Sequence, residues 1–529
     1  MPVVTVKLWD LERLARGPLS EDLRPVLEAL KLEVEELGTE ELTYEAPHDR
    51  ADLFSAEGLG RALGVFLGYR EPPRYEAEDG RVKLDITRAP RYRPYAFGAV
   101  VKNLELDDEA IRQLFQLQEK LAISYGNKRE IVSIGLYDLD KLNPRWEEGL
   151  VIEYKSLSEG RMVPLGYSEE MTFEEVLERT EKGKEYGHLV VKGQYPAFVS
   201  EGKIMSLAPI LNAEDYKVDE NTKNVFVDVT GTVPEVMLRV LDVMVTSLAE
   251  RSPRPELQRV EVIGANMKTP RLKYRKVRLD KEAIKRVAGF ELEDVEGLLR
   301  KMGLFVEGEW AVAPPYRIDV FSEVDLAEDA LSAYGYNKVP AEALPPTHWG
   351  SRDYFKDYLA RILTSMGLEE VFNFALIDGE LVEELLGVEP VKVLNPRLKS
   401  YSALRPSLVP SLLLAVKQNQ EALSRVEVFE VGPVVLKDKT AWRVGVAVAG
   451  DKVTLTDVGA VLKGLALTLG FRYALEEVKV RPFIEGRAAA VIVGDKVVGV
   501  MGEVHPEYLQ KVGVELPTAV LELDVEALR

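Results

Sequence analysis

Cysteine is absent from the 529-residue chain, which excludes disulfide bridges, thiolate zinc sites, iron–sulfur ligation and a cysteine nucleophile. Histidine is nearly absent. His48, His188, His348 and His505 are the only four, scattered without metal-ligand spacing. No uncharged run approaches the roughly eighteen residues needed to cross a bilayer. Lys7, Asp10, Glu12, Arg13 and Arg16 break up the start of the chain, so no secretory leader is expected and the cytoplasm is the predicted location. Positive charge is also in deficit: 68 basic residues against 88 acidic ones leave a net charge of -20. Any contact with a nucleic acid must therefore come from a local basic patch. Phosphate-cradling loops are missing, and the lone Gly58-x-Gly60 lies in an apolar helical pattern where packing accounts for it better.

What is present is a soluble globular composition, 46% hydrophobic and 29% charged, long enough for three or four domains at roughly 150 residues each. Four segments are read from the pattern: 1–85, 86–255, 265–340 and 346–529. The first is small and mixed. Residues 3–7 alternate as a strand, and Ser20, Glu21 and Asp22 precede a helix carrying Leu23, Val26, Leu27 and Leu30. A charged, aperiodic stretch over 76–84 marks its end. The second is rich in short Val, Ile, Tyr and Phe strands around one long helix over 108–125, an α+β pattern. Arg251-Ser-Pro-Arg-Pro-Glu256 reads as a linker, and 340–346 as another. The last segment opens on a helix over 353–366 closed by Gly367, then alternates as strands. That helix and the apolar run 406–416 are expected to offer surface to a partner chain.

Two local constellations carry chemistry. In Tyr316-Arg-Ile-Asp319-Val-Phe-Ser322-Glu-Val-Asp325-Leu-Ala-Glu328-Asp329, Ser322 and Asp325 form a capping-box pattern that starts a helix. Asp325, Glu328 and Asp329 then share one helical face, with Asp319 arriving from the preceding segment. Carboxylates without histidine or cysteine favour a hard cation, magnesium first. The alternative is that they complement the helix dipole. The second constellation spans 268–286, where nine basic residues stand against two acidic ones. Lys268, Arg271, Lys273, Arg275, Lys276 and Arg278 recur as on one strand face. That face suits a phosphate backbone or, alternatively, a charged edge strand that resists aggregation.

Several strings stand in order along the chain: Ala51-Asp-Leu-Phe-Ser-Ala-Glu-Gly-Leu-Gly-Arg-Ala-Leu63, Arg93-Pro-Tyr-Ala-Phe-Gly-Ala-Val-Val101 and Ser133-Ile-Gly-Leu-Tyr-Asp-Leu-Asp-Lys141. Arg317-Ile-Asp319 through Asp329 with Ala333-Tyr-Gly-Tyr-Asn337, Leu404-Arg-Pro-Ser-Leu-Val-Pro-Ser-Leu412, Phe429-Glu-Val-Gly432 and Gly502-Glu-Val-His-Pro506 continue the series. Read together, these segments resemble the beta subunit of phenylalanyl-tRNA synthetase, in its shorter archaeal and eukaryotic form.

The resemblance implies a small N-terminal α/β domain, a strand-rich editing domain, a winged or helical domain carrying magnesium on Asp319, Asp325, Glu328 and Asp329, and a silent class II synthetase-like C-terminal domain. It implies an assembly of two alpha and two beta chains, with the alpha subunit binding ATP and phenylalanine. No C-terminal Gly-x-Gly-x-x-x-Arg is found after residue 348, in keeping with silence. The resemblance also implies hydrolysis of tRNA(Phe) mischarged with tyrosine, in a pocket built from Ser206-Leu-Ala-Pro-Ile-Leu-Asn212 and Asp228-Val-Thr-Gly-Thr232. Ser206, Asn212, Asp228 and Thr230 are the residues carried over, because a phenol hydroxyl needs polar partners. Ala208 stands where a double proline is expected. A stand-alone editing deacylase and a non-enzymatic RNA-binding scaffold are the rival readings.

Overall fold

The computed structural model describes residues 2–19, 23–344, 353–437 and 439–529. Ser20, Glu21 and Asp22, read as a helix start, and His348 with the prolines at 345 and 346 lie outside the described residues. The chain forms two compact units, Met1–Ala343 and Leu344–Arg529. Each is a mixture of sheets and helices. Among the described residues no helix is long and apolar enough to cross a membrane.

The first unit opens on a three-stranded sheet ordered Val3–Lys7, Glu41–Glu45, Glu33–Leu37. Helix Ala56–Phe66 lies against helix Leu8–Ala15. A methyl group on Gly60 would stand 2.4 Å from Leu14 Cβ, and one on Gly58 1.5 Å from the Asp52 carbonyl oxygen. The Gly-x-Gly pair thus serves close helix packing rather than a nucleotide.

A ten-stranded sheet follows. Its path runs Leu211–Asn212, Lys203–Leu207, Tyr195–Ser200, Leu150–Leu157, Ala77–Asp85, Glu256–Ile263, Tyr95–Lys102, Val225–Gly231, Val132–Asp138, with Met267–Thr269 added beside Glu256–Ile263. Val225–Gly231 and Val132–Asp138 are buried at every position. Helices Asp108–Ile123 and Pro234–Ala249 pack over them.

Two stretches expected to mark boundaries carry ordered structure. The charged stretch 76–84 is the central strand Ala77–Asp85, parallel to both neighbours. Ala77, Val82 and Leu84 face the core while Glu78, Arg81 and Lys83 are exposed, and a break near Gly80 hides the alternation. The proposed linker at 251–256 is also anchored. Arg251 is buried, with Nη1 and Nη2 donating to the Asp10 carboxylate at 2.7 and 2.8 Å and Nε to Glu57 at 2.6 Å. The unit ends in a three-stranded sheet, Arg275–Arg278, Trp310–Ala313 and Phe305–Glu307, with helices Lys281–Ala288, Val295–Lys301 and Glu323–Tyr334. All these parts share one hydrophobic core.

In the second unit a seven-stranded sheet runs Glu369–Glu370, Arg425–Val435, Thr440–Gly450, Thr518–Asp524, Lys496–Val504, Phe483–Val493, Ala474–Glu477. Only the first pairing is parallel. Alternation along Thr440–Gly450 sends Val444, Val446 and Val448 into one core and Ala447 and Ala449 into another, so both faces are covered by helices. Helix Val409–Asn419, expected to face a partner, packs into its own sheet through Leu412, Leu413 and Val416. Helix Tyr354–Ser365 likewise buries Leu359, Ile362 and Leu363, and of its large hydrophobic side chains only Tyr354 and Tyr358 are exposed. Arg405 and Glu430, from two of the sequence strings quoted above, form a buried pair at 2.6 Å. Those strings hold the core together.

Candidate functional site

The ten-stranded sheet curls until its two ends meet. Asn212, on one terminal strand, donates from Nδ2 to the carbonyl oxygen of Leu136 on the other at 3.0 Å. Arg129 reaches across from the loop before Val132–Asp138 and donates to the carbonyl oxygens of Pro209 and Ile210, each at 2.9 Å. Between these ends lies a cavity of about 220 Å³, lined in part by Glu119, Arg129, Ser133, Tyr137, Lys182, Ser206, Asn212 and Asp228.

Strand register decides what faces this cavity. Ser206 stands opposite Asn212, and Asp228 stands opposite Gly135. The Tyr137 hydroxyl donates to Ser206 Oγ at 2.9 Å. Asp228 is buried, its Oδ2 has no hydrogen-bond partner among the described residues, and burial pushes its carboxyl up to about 7, against the opposing pull of Tyr137 and Arg93. Burial, then the charge of Asp228, raises the Tyr137 phenol well above its ordinary range. An unpartnered buried acceptor beside a serine hydroxyl is chemically an appetite for a hydroxyl group.

Thr230 is placed differently from the other three carried-over residues. It is fully buried behind the cavity wall, where its Oγ1 lies 2.8 Å from Ser133 Oγ and accepts from Arg93 Nε at 3.1 Å. Arg93 also donates to Ser133 Oγ and to the Thr230 carbonyl oxygen. Thr230 therefore supports Ser133, which does line the cavity.

The four carboxylates expected to converge on a magnesium ion are each engaged by protein groups. Arg317 donates to Asp319 at 2.7 Å and to Asp329 at 2.6 Å. Although burial raises the Asp319 carboxyl, Arg317 and then Arg50 hold it below its ordinary value. Lys31 lies 3.2 Å from both Asp329 and Glu328. Asp325 Oδ2 accepts from the backbone amides of Phe321 and Ser322 at 2.7 and 2.8 Å, capping helix Glu323–Tyr334 as the sequence pattern requires. Among the described residues no three His, Cys, Asp or Glu side chains gather as a metal site. Protein cations and helix amides hold these oxygens, so the set does not fit magnesium in this structure.

The basic stripe is not one strand face. Lys268 is on Met267–Thr269, whereas Arg275, Lys276 and Arg278 are on Arg275–Arg278 in a different sheet. Lys268 pairs with Asp79 at 2.6 Å, and Arg271, Lys276 and Arg278 have looser partners in Glu235, Glu307 and Glu309. Arg275 stacks over Phe321 and donates to the Val320 carbonyl oxygen. Lys273 sits between the two strands.

Residues 277–336 match the family model of the tRNA synthetase B5 domain, and residues 337–525 that of the phenylalanyl tRNA synthetase beta chain CLM domain. The phenylalanine–tRNA ligase beta subunit of Thermofilum pendens is 42% identical across 100% of this chain and 98% of that protein. The Pyrococcus horikoshii beta subunit is 36% identical across 100% of both. This chain belongs to the phenylalanine–tRNA ligase beta-subunit family. An N-terminal fragment of the Pyrococcus horikoshii phenylalanyl-tRNA synthetase beta subunit, solved by crystallography, matches with a TM-score of 0.58 and 36% identity, covering 63% of this chain and all (100%) of the fragment.

Within this beta-subunit family member, sequence reasoning overlooked Tyr137, Arg129 and Glu119 as parts of the cavity. Tyr137 and Ser133 were within the quoted string 133–141, so a signal existed but gave no direction for either side chain. Arg129 carried no signal. Asn127, Lys128 and Arg129 all have positive φ, a run that composition does not announce. Arg129 also pairs with Glu119 at 3.1 Å and stacks on Tyr186, which fixes the cavity mouth.

Proposed function

We propose that the chain, together with an alpha subunit, attaches phenylalanine to tRNA(Phe) using ATP, and that its own first unit hydrolyses tyrosyl-tRNA(Phe). The observation that carries the hydrolytic part is the cavity at the closed sheet, where Ser206, Asn212 and the unpartnered Asp228 carboxylate face one space. An apolar synthetic pocket rejects an added hydroxyl by only about a hundredfold, so a second, hydroxyl-seeking site has a use. With no cysteine in the chain and no histidine among the described residues lining the cavity, hydrolysis proceeds by a positioned water assisted by the terminal ribose, with no covalent enzyme intermediate. Asn212 bridges the two sheet ends and is suited to hold that water or the ester. Thr230 acts from behind Ser133.

The second unit is read as a silent class II-like module, with ATP and phenylalanine held by the alpha subunit in an assembly of two alpha and two beta chains in the cytoplasm. Full-length coverage of relatives named as beta subunits favours this over a stand-alone deacylase. Lys268, Arg271, Lys273, Arg275, Lys276 and Arg278 remain the proposed tRNA contacts. The ion pairs of Lys276 and Arg278 are long and solvent-exposed, and such pairs are weak enough for phosphate to replace. No step is assigned to magnesium. Calorimetry with a hydrolysis-resistant tyrosyl-adenosine amide tests the pocket: the full chain binds it, Asn212→Ala and Asp228→Ala weaken it, and equal binding of the phenylalanyl analogue refutes the reading.

A further inference from the structure

We infer that Tyr137 is a positioning residue for discrimination: by donating its single proton to Ser206, it leaves Asp228 as the open acceptor and Ser206 as the open donor for one substrate hydroxyl. The inference rests on the hydrolytic reading above and adds to it the residue that sets the direction of the hydrogen bonds.

Tyr137 has little freedom. It lies on the fully buried strand Val132–Asp138, and its ring is held between Phe198 and Phe226 at centroid separations of 6.3 and 6.0 Å. Its hydroxyl lies 2.9 Å from Ser206 Oγ. A hydroxyl has one proton to give. With one lone pair of Ser206 taken by Tyr137, the serine proton is left to point into the cavity. Asp228 Oδ2, buried and without a hydrogen-bond partner among the described residues, is left to accept. A phenol entering between them accepts from Ser206 and donates to Asp228, so Ser206 and the phenol each give one bond and take one. A phenyl ring leaves both groups unpaired.

Gly135 keeps the space for this exchange. It pairs with Asp228 in the sheet, and a methyl group there would stand 2.1 Å from Asp228 Oδ2 and 2.7 Å from the Tyr137 hydroxyl oxygen. Any side chain at 135 would fill the point where the two polar groups are reached together. Tyr137→Phe keeps the ring and removes the direction: Ser206 loses its donor, and its proton is no longer committed to the cavity.

The test is single-turnover hydrolysis of tyrosyl-tRNA(Phe) and phenylalanyl-tRNA(Phe) by the full chain, its Tyr137→Phe and Ser206→Ala variants and the double variant, with melting temperatures measured alongside. Tyr137→Phe should lower tyrosyl kcat/KM by about tenfold, the worth of one buried hydrogen bond, mainly through KM, while phenylalanyl hydrolysis is unchanged. The double variant should be no worse than Ser206→Ala, because Tyr137 acts through that serine. Ser206→Ala removes the same bond from the other end and should reproduce the loss of selectivity even where Tyr137→Phe folds poorly. A parent that prefers the tyrosyl ester while Tyr137→Phe keeps that preference, or loses both substrates equally, overturns this inference alone. A parent that hydrolyses neither ester overturns the hydrolytic reading and this inference with it.

Discussion

Replacing Asp228 by Asn removes a carboxylate that the fold holds in an unfavourable place, and the gain should depend on pH. The Asp228 carboxyl titrates near 3.8 when free and at about 7 in its buried site. Between those values the folded protein binds a proton that the unfolded chain has released, so stability falls as pH rises from about 4 to about 7 and levels off above. At about 1.4 kcal/mol per pH unit, the fully ionised state costs about 4 kcal/mol. Asn has the same shape and no charge. Asp228→Asn should therefore match the parent near pH 4, gain roughly half of that by pH 5.5, and gain all of it at pH 8. Guanidinium denaturation of both proteins across this range measures it. Asp242, buried and also raised to about 7, is common to both and cancels. A difference that does not vary with pH, or an Asn variant less stable than the parent at pH 8, would refute the reasoning.

Other outcomes follow from the same structure. Magnesium chloride should raise the melting temperature of the isolated chain no more than sodium chloride of equal ionic strength, since Arg317, Lys31 and helix amides already hold the four carboxylates. Asp325→Asn should cost about 1 kcal/mol by weakening the helix cap, read by urea denaturation. Arg251→Ala should destabilise the first unit by about 3–5 kcal/mol, because it strands the buried Glu57 carboxylate and leaves buried Asp10 with Arg13 alone; a loss under about 1 kcal/mol would contradict the clamp. The chain alone should show no ATP–pyrophosphate exchange with phenylalanine, and adding the alpha subunit should restore it.

Legibility tracked sequence distance. The Ser322–Asp325 cap and the helices Asp108–Ile123 and Tyr354–Ser365 were readable because their determinants lie within a few residues of each other. Ala77–Asp85 was not, because Gly80 breaks its alternation and its neighbour Glu256–Ile263 is remote in the chain. The carboxylates looked like a metal site because Lys31, far upstream, could not be foreseen beside them, and Arg317 was not read as their partner. At the pocket, Ser206, Asn212 and Asp228 entered through likeness to a family. What the strings could not convey is sheet closure, which turns two terminal strands into facing walls and adds Tyr137 and Arg129. The single strand face expected for the stripe failed for the converse reason: residues close in sequence are divided between two sheets.

The most direct measurement of the central claim is the rate at which the full chain clears tyrosyl-tRNA(Phe) relative to phenylalanyl-tRNA(Phe), for the parent and for Asp228→Ala. Leaving buried hydroxyl partners unpaired disfavours the phenylalanyl ester by about 1–3 kcal/mol per group, so the parent should prefer the tyrosyl ester at least about tenfold and the variant should lose that preference while staying folded. Equal rates on the two esters in the parent, or an undiminished preference in Asp228→Ala, would contradict the account.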